Sequence, residues 1–226
     1  MSIHAVIFDL DGTLVDTLDD ITGAINRALT RAGLPPISRE QCRRRVGWGL
    51  RELARRSLPE DSRDPERLDA IAADFESAYR KDPVAESRPY AGIPALLDSI
   101  RDATIKTAVL SNKPDELVHA VVDALFGRNR FGYVLGGTSD HPRKPDPATT
   151  TMILDTLGVS AEKTLFVGDS EIDIATARNA GCIPVGVSWG YRDVELLRAS
   201  GAAHICYSTE EIRELLGLQR QREDLG

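Results

Sequence analysis

The stretch AVIFDLDGTLVDT, Ala5 to Thr17, decides how the rest of the chain is read. Its apolar run Ala5-Val6-Ile7-Phe8 predicts a buried strand, and Asp9, Asp11, Gly12 and Thr13 follow before an amphipathic helix begins. Two carboxylates thus stand where a central strand of an α/β sheet opens its crevice. With one residue between them they share a side of an extended segment, whereas in a turn one of them offers its backbone carbonyl instead. A hard cation such as Mg2+ takes oxygen ligands of this kind and relieves their mutual repulsion. The same residues also suit a plain strand-to-helix turn, because Asp, Gly and Thr are ordinary turn and cap residues. The later segments decide between the two.

The 226 residues suffice for one large domain or for a domain carrying a smaller insert. Hydrophobic residues at 42% and charged residues at 28% fit a globular chain with a sizeable core. The formal charge of -7 disfavours wrapping a polyanion, so no nucleic acid partner is expected. No run reaches membrane-spanning length, and MSIH leads straight into the first strand, so no membrane partner and a cytoplasmic location are expected. Cys42, Cys182 and Cys206 show neither close pairing nor ligand spacing and read as buried thiols. Monomer and homodimer are both compatible with the sequence.

From Leu18 to Ala32, apolar residues at Leu18, Ile21, Ile25, Ala28 and Leu29 form a helical stripe that Gly33 closes. Leu34 to Pro83 then reads as helical pieces broken around Gly47-Trp48-Gly49 and Pro59 to Pro65, with no convincing strand. So long a helical block between the first two strands predicts an inserted cap rather than a decorated crossover. The expected division is a core of residues 1-16 and 84-226 and a cap of residues 17-83. Strands are predicted at Ile105 to Leu110, near Tyr133 to Leu135, at Thr164 to Val167, Ile183 to Val187 and His204 to Cys206. Helices fall between them, and Gly217 to Gly226 is polar and expected to fray. The fold class is therefore α/β, a Rossmann-like parallel-sheet core with an all-helical cap.

Four polar clusters follow predicted strands: Asp9/Asp11/Thr13, Ser111/Asn112, Lys144, and Asp169 with Asp173. A parallel sheet brings the carboxyl ends of its strands to one edge, so these clusters converge. Asp9, the Asp11 carbonyl and Asp169 make an oxygen set suited to Mg2+. Asp173, four residues after Asp169, faces the same opening and either orients a metal-bound water or holds Asp169. Ser111, Asn112 and the following backbone N–H groups suit phosphoryl oxygens, and Lys144 offers a compact counter-charge.

Asp9-Leu10-Asp11-Gly12-Thr13, Leu110-Ser111-Asn112, Lys144-Pro145, and Val167-Gly168-Asp169-Ser170 with Asp173 resemble, in order, all four motifs of the haloacid dehalogenase-like hydrolases. Within them, Val15-Asp16-Thr17 with Asp20, Asn26 and Leu29, Pro89 to Ile93, Ser111 to Pro114 and Val187 to Tyr191 are most similar to the phosphoglycolate phosphatases. The resemblance implies a two-step phosphoryl transfer on a small phosphorylated metabolite. Asp9 is then the nucleophile and Asp11 the general acid and base. Ser111 and Asn112 hold phosphoryl oxygens, Lys144 balances charge, and Mg2+ sits on Asp9, Asp169 and the Asp11 carbonyl. Thr13 and Asp173 support them.

Asp11 separates this chain from dehalogenating relatives, whose leaving halide needs no proton. Mutases of the β-phosphoglucomutase type carry a histidine where this chain has Ile21, and phosphonoacetaldehyde hydrolases use a cap lysine where this cap has none up to Arg80. A receiver-like phospho-acceptor gathers similar residues but lacks a helical insert. A broader phosphatase or pyrophosphatase of the same superfamily remains compatible. In the cap, Arg43, Arg44, Arg45 and Arg51 flank Gly47-Trp48-Gly49, and Arg45, Gly47 and Trp48 are the candidates for substrate selection. Each arginine also suits a solvated helix face, and Trp48 either lines the pocket or packs on Leu50 and Leu53.

Overall fold

The computed structural model describes residues 2–218, and the tail from residue 219 onward, part of the segment expected to fray, lies outside them. Its centre is β1 (Ala5–Phe8), whose four residues are all fully buried. Both faces of this strand are covered, which is why it reads as a continuous apolar run rather than an alternating one. After it the chain makes β2 (Val15–Asp16) and the helices α1 (Leu18–Arg31), α2 (Arg39–Arg45), α3 (Leu50–Ser57) and α4 (Pro65–Arg80). It then returns through β3 (Arg88–Pro89), which pairs antiparallel with β2. The four helices between these two short strands form a cap.

Alternation follows: α5 (Ile93–Asp102), β4 (Lys106–Pro114), α6 (Asp115–Phe126), β5 (Tyr133–Gly137), α7 (Ala148–Leu157), β6 (Thr164–Gly168) and α8 (Glu171–Asn179). The chain closes with β7 (Ile183–Val187), α9 (Val194–Ala199), β8 (His204–Cys206) and α10 (Thr209–Leu215). The six longer strands make one parallel sheet in the order β5-β4-β1-β6-β7-β8. The chain leaves β1 toward β4 on one side and later resumes on the other with β6. The switch point where a crevice opens therefore lies at the carboxyl end of β1.

Register carries the polar clusters to that point. Phe8 pairs with Val109 of β4 and with Val167 of β6, so Asp9 comes level with the residues just before Ser111 and Asp169. Beneath, Val6, Phe8, Val109 and Val167 pack on one face of the sheet with residues of α5, α6 and α10. Ile7, Ala108, Leu110 and Phe166 pack on the other with residues of α7 and α8. The cap has its own core, in which Ile21, Ile25 and Leu29 of α1 meet Leu53, Phe75 and Tyr79. Leu117 of α6 and Tyr191 join that cluster from the sheet side.

The structure adds details the sequence patterns do not carry. The β2/β3 ribbon and α9 are too short for a periodic signal to register. Strand β4 runs on to Pro114 rather than ending at Leu110, with a break in its register against β5 between those residues. No helix among the described residues is long and apolar enough to cross a membrane.

Cys42, Cys182 and Cys206 are buried free thiols, and burial pushes Cys42 up to about 11 and the other two up to about 12. At pH 8 the native protein should accordingly resist alkylation by iodoacetamide, with all three thiols reacting only after denaturation; fast labelling of any of them in the native state would contradict this burial. Phe75 is fully buried against Tyr79, with ring centroids 6.4 Å apart. Phe75→Ala is expected to cost about 3–5 kcal/mol in urea unfolding, and a loss below about 1 kcal/mol would show that the cap core collapses into the space.

Candidate active site

Burying a carboxylate without a partner is expensive, and this crevice buries several. Asp9 leaves the end of β1 with its backbone N–H donating to the Val167 carbonyl at 2.9 Å. Asp169 follows β6, and Asp173 lies in the first turn of α8. The three offer carboxylate oxygens that lie within 4.8 Å of one another, and all three side chains are buried. Lys144, from the loop after β5, donates to Asp9 Oδ1 at 2.7 Å and to Asp173 Oδ1 at 2.6 Å. The remaining Asp173 oxygen accepts from Ser170 N and Oγ, which makes Asp173 part of the capping box of α8 as well as a partner of Lys144.

Charge accounting shows what this cluster lacks. With all three ionised, the carboxylates against one ammonium leave a surplus of two negative charges in buried surroundings. Burial pushes Asp9 up to about 7, helped by Asp173 and Asp11 and opposed by Lys144. Burial likewise drives Asp169 well above the usual carboxylate range, reinforced by Asp173 and Asp9. For Lys144, burial alone would lower the affinity for its proton, but Asp173 and Asp9 outweigh it and hold the group charged. A divalent cation would cancel the surplus, and hard oxygen donors suit such an ion.

Asp169 is positioned by backbone. The Tyr191 N–H donates to its Oδ2 at 2.6 Å, and Thr13 Oγ1 donates to its Oδ1 at 3.4 Å. Two glycines make room for it. Gly12 has φ +89°, and a Cβ there would stand 2.4 Å from Asp169 Oδ2; a Cβ on Gly190 would stand 2.2 Å from Asp169 Cβ.

Asp11 is held apart from the cluster. Its Oδ1 accepts from Thr17 Oγ1 at 2.6 Å and from Lys113 Nζ at 2.5 Å. Thr17 stands at the N-cap of α1 but does not cap it, because its hydroxyl is spent on Asp11. Ser111 and Asn112 follow in the extended end of β4. Ser111 Oγ accepts from Lys113 N at 3.3 Å and lines the cavity. Asn112 uses its side chain as a brace: Oδ1 accepts from Lys144 N at 2.9 Å, and Nδ2 donates to the Lys144 and Gly47 carbonyls, each at 3.1 Å.

The cap closes the far side with Ile21, Val46, Gly47, Gly49, Leu50 and Leu53. Gly47 thus stands in the cavity wall, whereas Arg45 and Trp48 are not among its lining residues. Trp48 lies under the Arg56 guanidinium, 5.5 Å from its ring centroid. Arg43 and Arg44 pair with Glu40 and Arg51 pairs with Asp69, and Arg43 also donates to the Tyr191 carbonyl. Sequence reasoning passed over three residues. Lys113 enters the cavity beside Asp11, Tyr191 orients Asp169, and Arg192 donates to the Arg43 and Val46 carbonyls at the end of α2 while pairing with Glu171. Lys113 and Tyr191 lay within the stretches Ser111 to Pro114 and Val187 to Tyr191, whereas the long-range contacts of Arg192 leave no pattern in sequence.

Comparison with known proteins gives this arrangement a context. The model of the haloacid dehalogenase-like hydrolase family matches residues 6–187. Over 193 residues the chain is 39% identical to a phosphoglycolate phosphatase of Rhodospirillum rubrum, covering 83% of this chain and 80% of that protein. A phosphoglycolate phosphatase of Neisseria meningitidis is 33% identical over 228 residues, 98% of this chain and 97% of that one. Among solved structures, a predicted phosphoglycolate phosphatase from Haemophilus somnus superposes with a TM-score of 0.86 at 29% identity, covering 95% of this chain and 98% of that one.

Because a Cβ on Gly190 would collide with Asp169, Gly190→Ala should displace that carboxylate. Calorimetric titration with Mn2+ is expected to show affinity falling at least about tenfold. Unchanged affinity would mean that Asp169 does not depend on the Gly190 backbone for its place.

Proposed function

The chain belongs to the haloacid dehalogenase-like hydrolases, and from that premise we propose that it is a Mg2+-dependent phosphomonoesterase whose substrate is 2-phosphoglycolate. The observation that carries this reading is the separation of two kinds of acid in one cavity. Asp9 sits in a buried cluster with a surplus of negative charge, while Asp11 stands outside it on Lys113 and Thr17. One carboxylate is thereby free to attack and the other to carry a proton. The substrate name rests on similarity to the phosphoglycolate phosphatases.

In the proposed reaction an Asp9 oxygen attacks phosphorus, the bond from phosphorus to the leaving oxygen breaks, and Asp11 delivers a proton to that oxygen. An aspartyl-phosphate on Asp9 results. Asp11 then takes a proton from water as the water oxygen attacks phosphorus, the bond to Asp9 breaks, and inorganic phosphate leaves. Ser111 and the Asn112 backbone hold phosphoryl oxygens, and Lys144 steadies Asp9 between attack and release. Asp9, Asp169 and the Asp11 carbonyl would hold Mg2+, with Asp173 fixing Lys144 and the start of α8. When bound, Mg2+ supplies positive charge that offsets the repulsion between the phosphoryl group and the nucleophile. Thr13 steadies Asp169. The division into a core of residues 1-16 and 84-226 and a cap of residues 17-83 puts the chemistry on the core and closure over it on the cap, which keeps bulk water from the site.

Phosphate release with Mg2+ should be measured on 2-phosphoglycolate, small sugar phosphates, nucleoside monophosphates, pyrophosphate and β-glucose 1-phosphate, beside Asp9→Asn. A preference of at least about tenfold for 2-phosphoglycolate in kcat/KM, corresponding to about 1.4 kcal/mol, is expected, with activity lost in the variant and in EDTA. Even activity across the panel would remove the substrate assignment and leave a broader phosphatase. Stable phosphorylation of Asp9 without turnover would replace the enzyme by a phospho-acceptor.

A further inference from the structure

Three cations line the cavity: Lys144, Arg192 and Lys113. Lys144 is divided between Asp9 and Asp173. Arg192 is committed to the Arg43 and Val46 carbonyls and to Glu171. Lys113 differs. Its ammonium donates to one oxygen, Asp11 Oδ1 at 2.5 Å, and rests 4.6 Å from the centroid of the Tyr79 ring, reached from the cap helix α4. An ammonium has three N–H donors, so this one keeps donor capacity toward the cavity while the rest of its side chain is buried.

The cap side chains of the opposite wall carry no charge to meet an anion, and only the backbone of Gly47 and Gly49 stands among them. Ile21, Val46, Leu50 and Leu53 present apolar side chains, and burying a carboxylate against them would cost its full hydration. In 2-phosphoglycolate the carboxylate carbon lies two bonds beyond the leaving oxygen. With that oxygen beside Asp11, the carboxylate falls next to the cation that Asp11 itself holds.

We propose that Lys113, set between Asp11 and the Tyr79 ring, receives the substrate's carboxylate and is the residue that selects phosphomonoesters bearing one. The inference rests on the phosphomonoesterase reading above and deepens it by placing the second anionic group. Tyr79 keeps the ammonium at the junction of cap and core through a cation–π contact, so carboxylate recognition and closure of the cap share one group. Arg45, the cap arginine whose Nη1 is buried without a hydrogen-bond partner, does not line the cavity and is the rival position.

The test compares 2-phosphoglycolate with ethyl phosphate, which has the same two-carbon leaving group and no carboxylate, in the full chain with Mg2+. Wild type, Lys113→Met, Lys113→Gln and Arg45→Met are assayed on both substrates. Each ratio is read on a single preparation, so a loss of folded protein cancels, and the glutamine variant serves if the methionine variant proves insoluble. Both Lys113 variants are expected to lower kcat on both substrates, because Asp11 loses a partner. Only with 2-phosphoglycolate should KM also rise, so that its advantage over ethyl phosphate falls at least about tenfold. An equal loss on both substrates would reduce Lys113 to a positioning residue for Asp11 and overturn the assignment. Loss of the preference in Arg45→Met alone would move carboxylate recognition into the cap. A wild-type enzyme that shows no preference for the carboxylate, but still releases phosphate, sinks the substrate reading and this inference together while leaving the phosphatase chemistry standing.

Discussion

The cost of burying negative charge governs this crevice. Asp9, Asp169 and Asp173 bring carboxylate oxygens within 4.8 Å of one another, and Lys144 neutralises only part of what they carry. Burial of these acids is tolerable because each has a fixed donor. Asp169 takes the Tyr191 N–H, Asp173 takes Ser170, and Asp9 shares Lys144. Such an arrangement favours a cation and a phosphoryl group with its own neutralising ion over an apolar ligand, and it presents its donors before any substrate arrives.

The same constraint explains departures from local rules nearby. Thr17 leaves the end of α1 without a side-chain cap, because its hydroxyl serves Asp11. Asp173 serves two ends at once, since one oxygen closes the α8 capping box while the other receives Lys144. Asn112 holds the backbone of Lys144 in place and reaches across to Gly47 of the cap. Local stability is thus yielded or shared where the site requires a particular oxygen in a particular place.

Specific groups join cap and core beside the site. Arg192 donates to carbonyls at the end of α2, the Arg43 guanidinium reaches the Tyr191 carbonyl, and Tyr79 lies over Lys113. Tyr191 takes part on both sides, with its N–H on Asp169 and its ring in the cap's apolar cluster. The contact that orients one acid of the cluster therefore sits one residue from the arginine that grips the cap.

Much of this was legible in the chain itself. Ala5 to Phe8 has the composition of a strand buried on both faces, the helical stripe after Thr17 is plain, and the acids after β1 and β6 stand where a parallel sheet must bring them together. Those features follow from periodicity and from the common direction of parallel strands, which are local or topological properties. Which acid pairs with which cation was not legible. Lys113, in a motif with Ser111 and Asn112, turns to Asp11, while the more distant Lys144 reaches Asp9; Arg43, Arg44 and Arg51, which flank Gly47-Trp48-Gly49, pair with Glu40 and Asp69. Pairing depends on side-chain direction and on surfaces from elements far apart in sequence, so the sequence alone determined the fold and the residue types of the site, and only tertiary packing decided their partners.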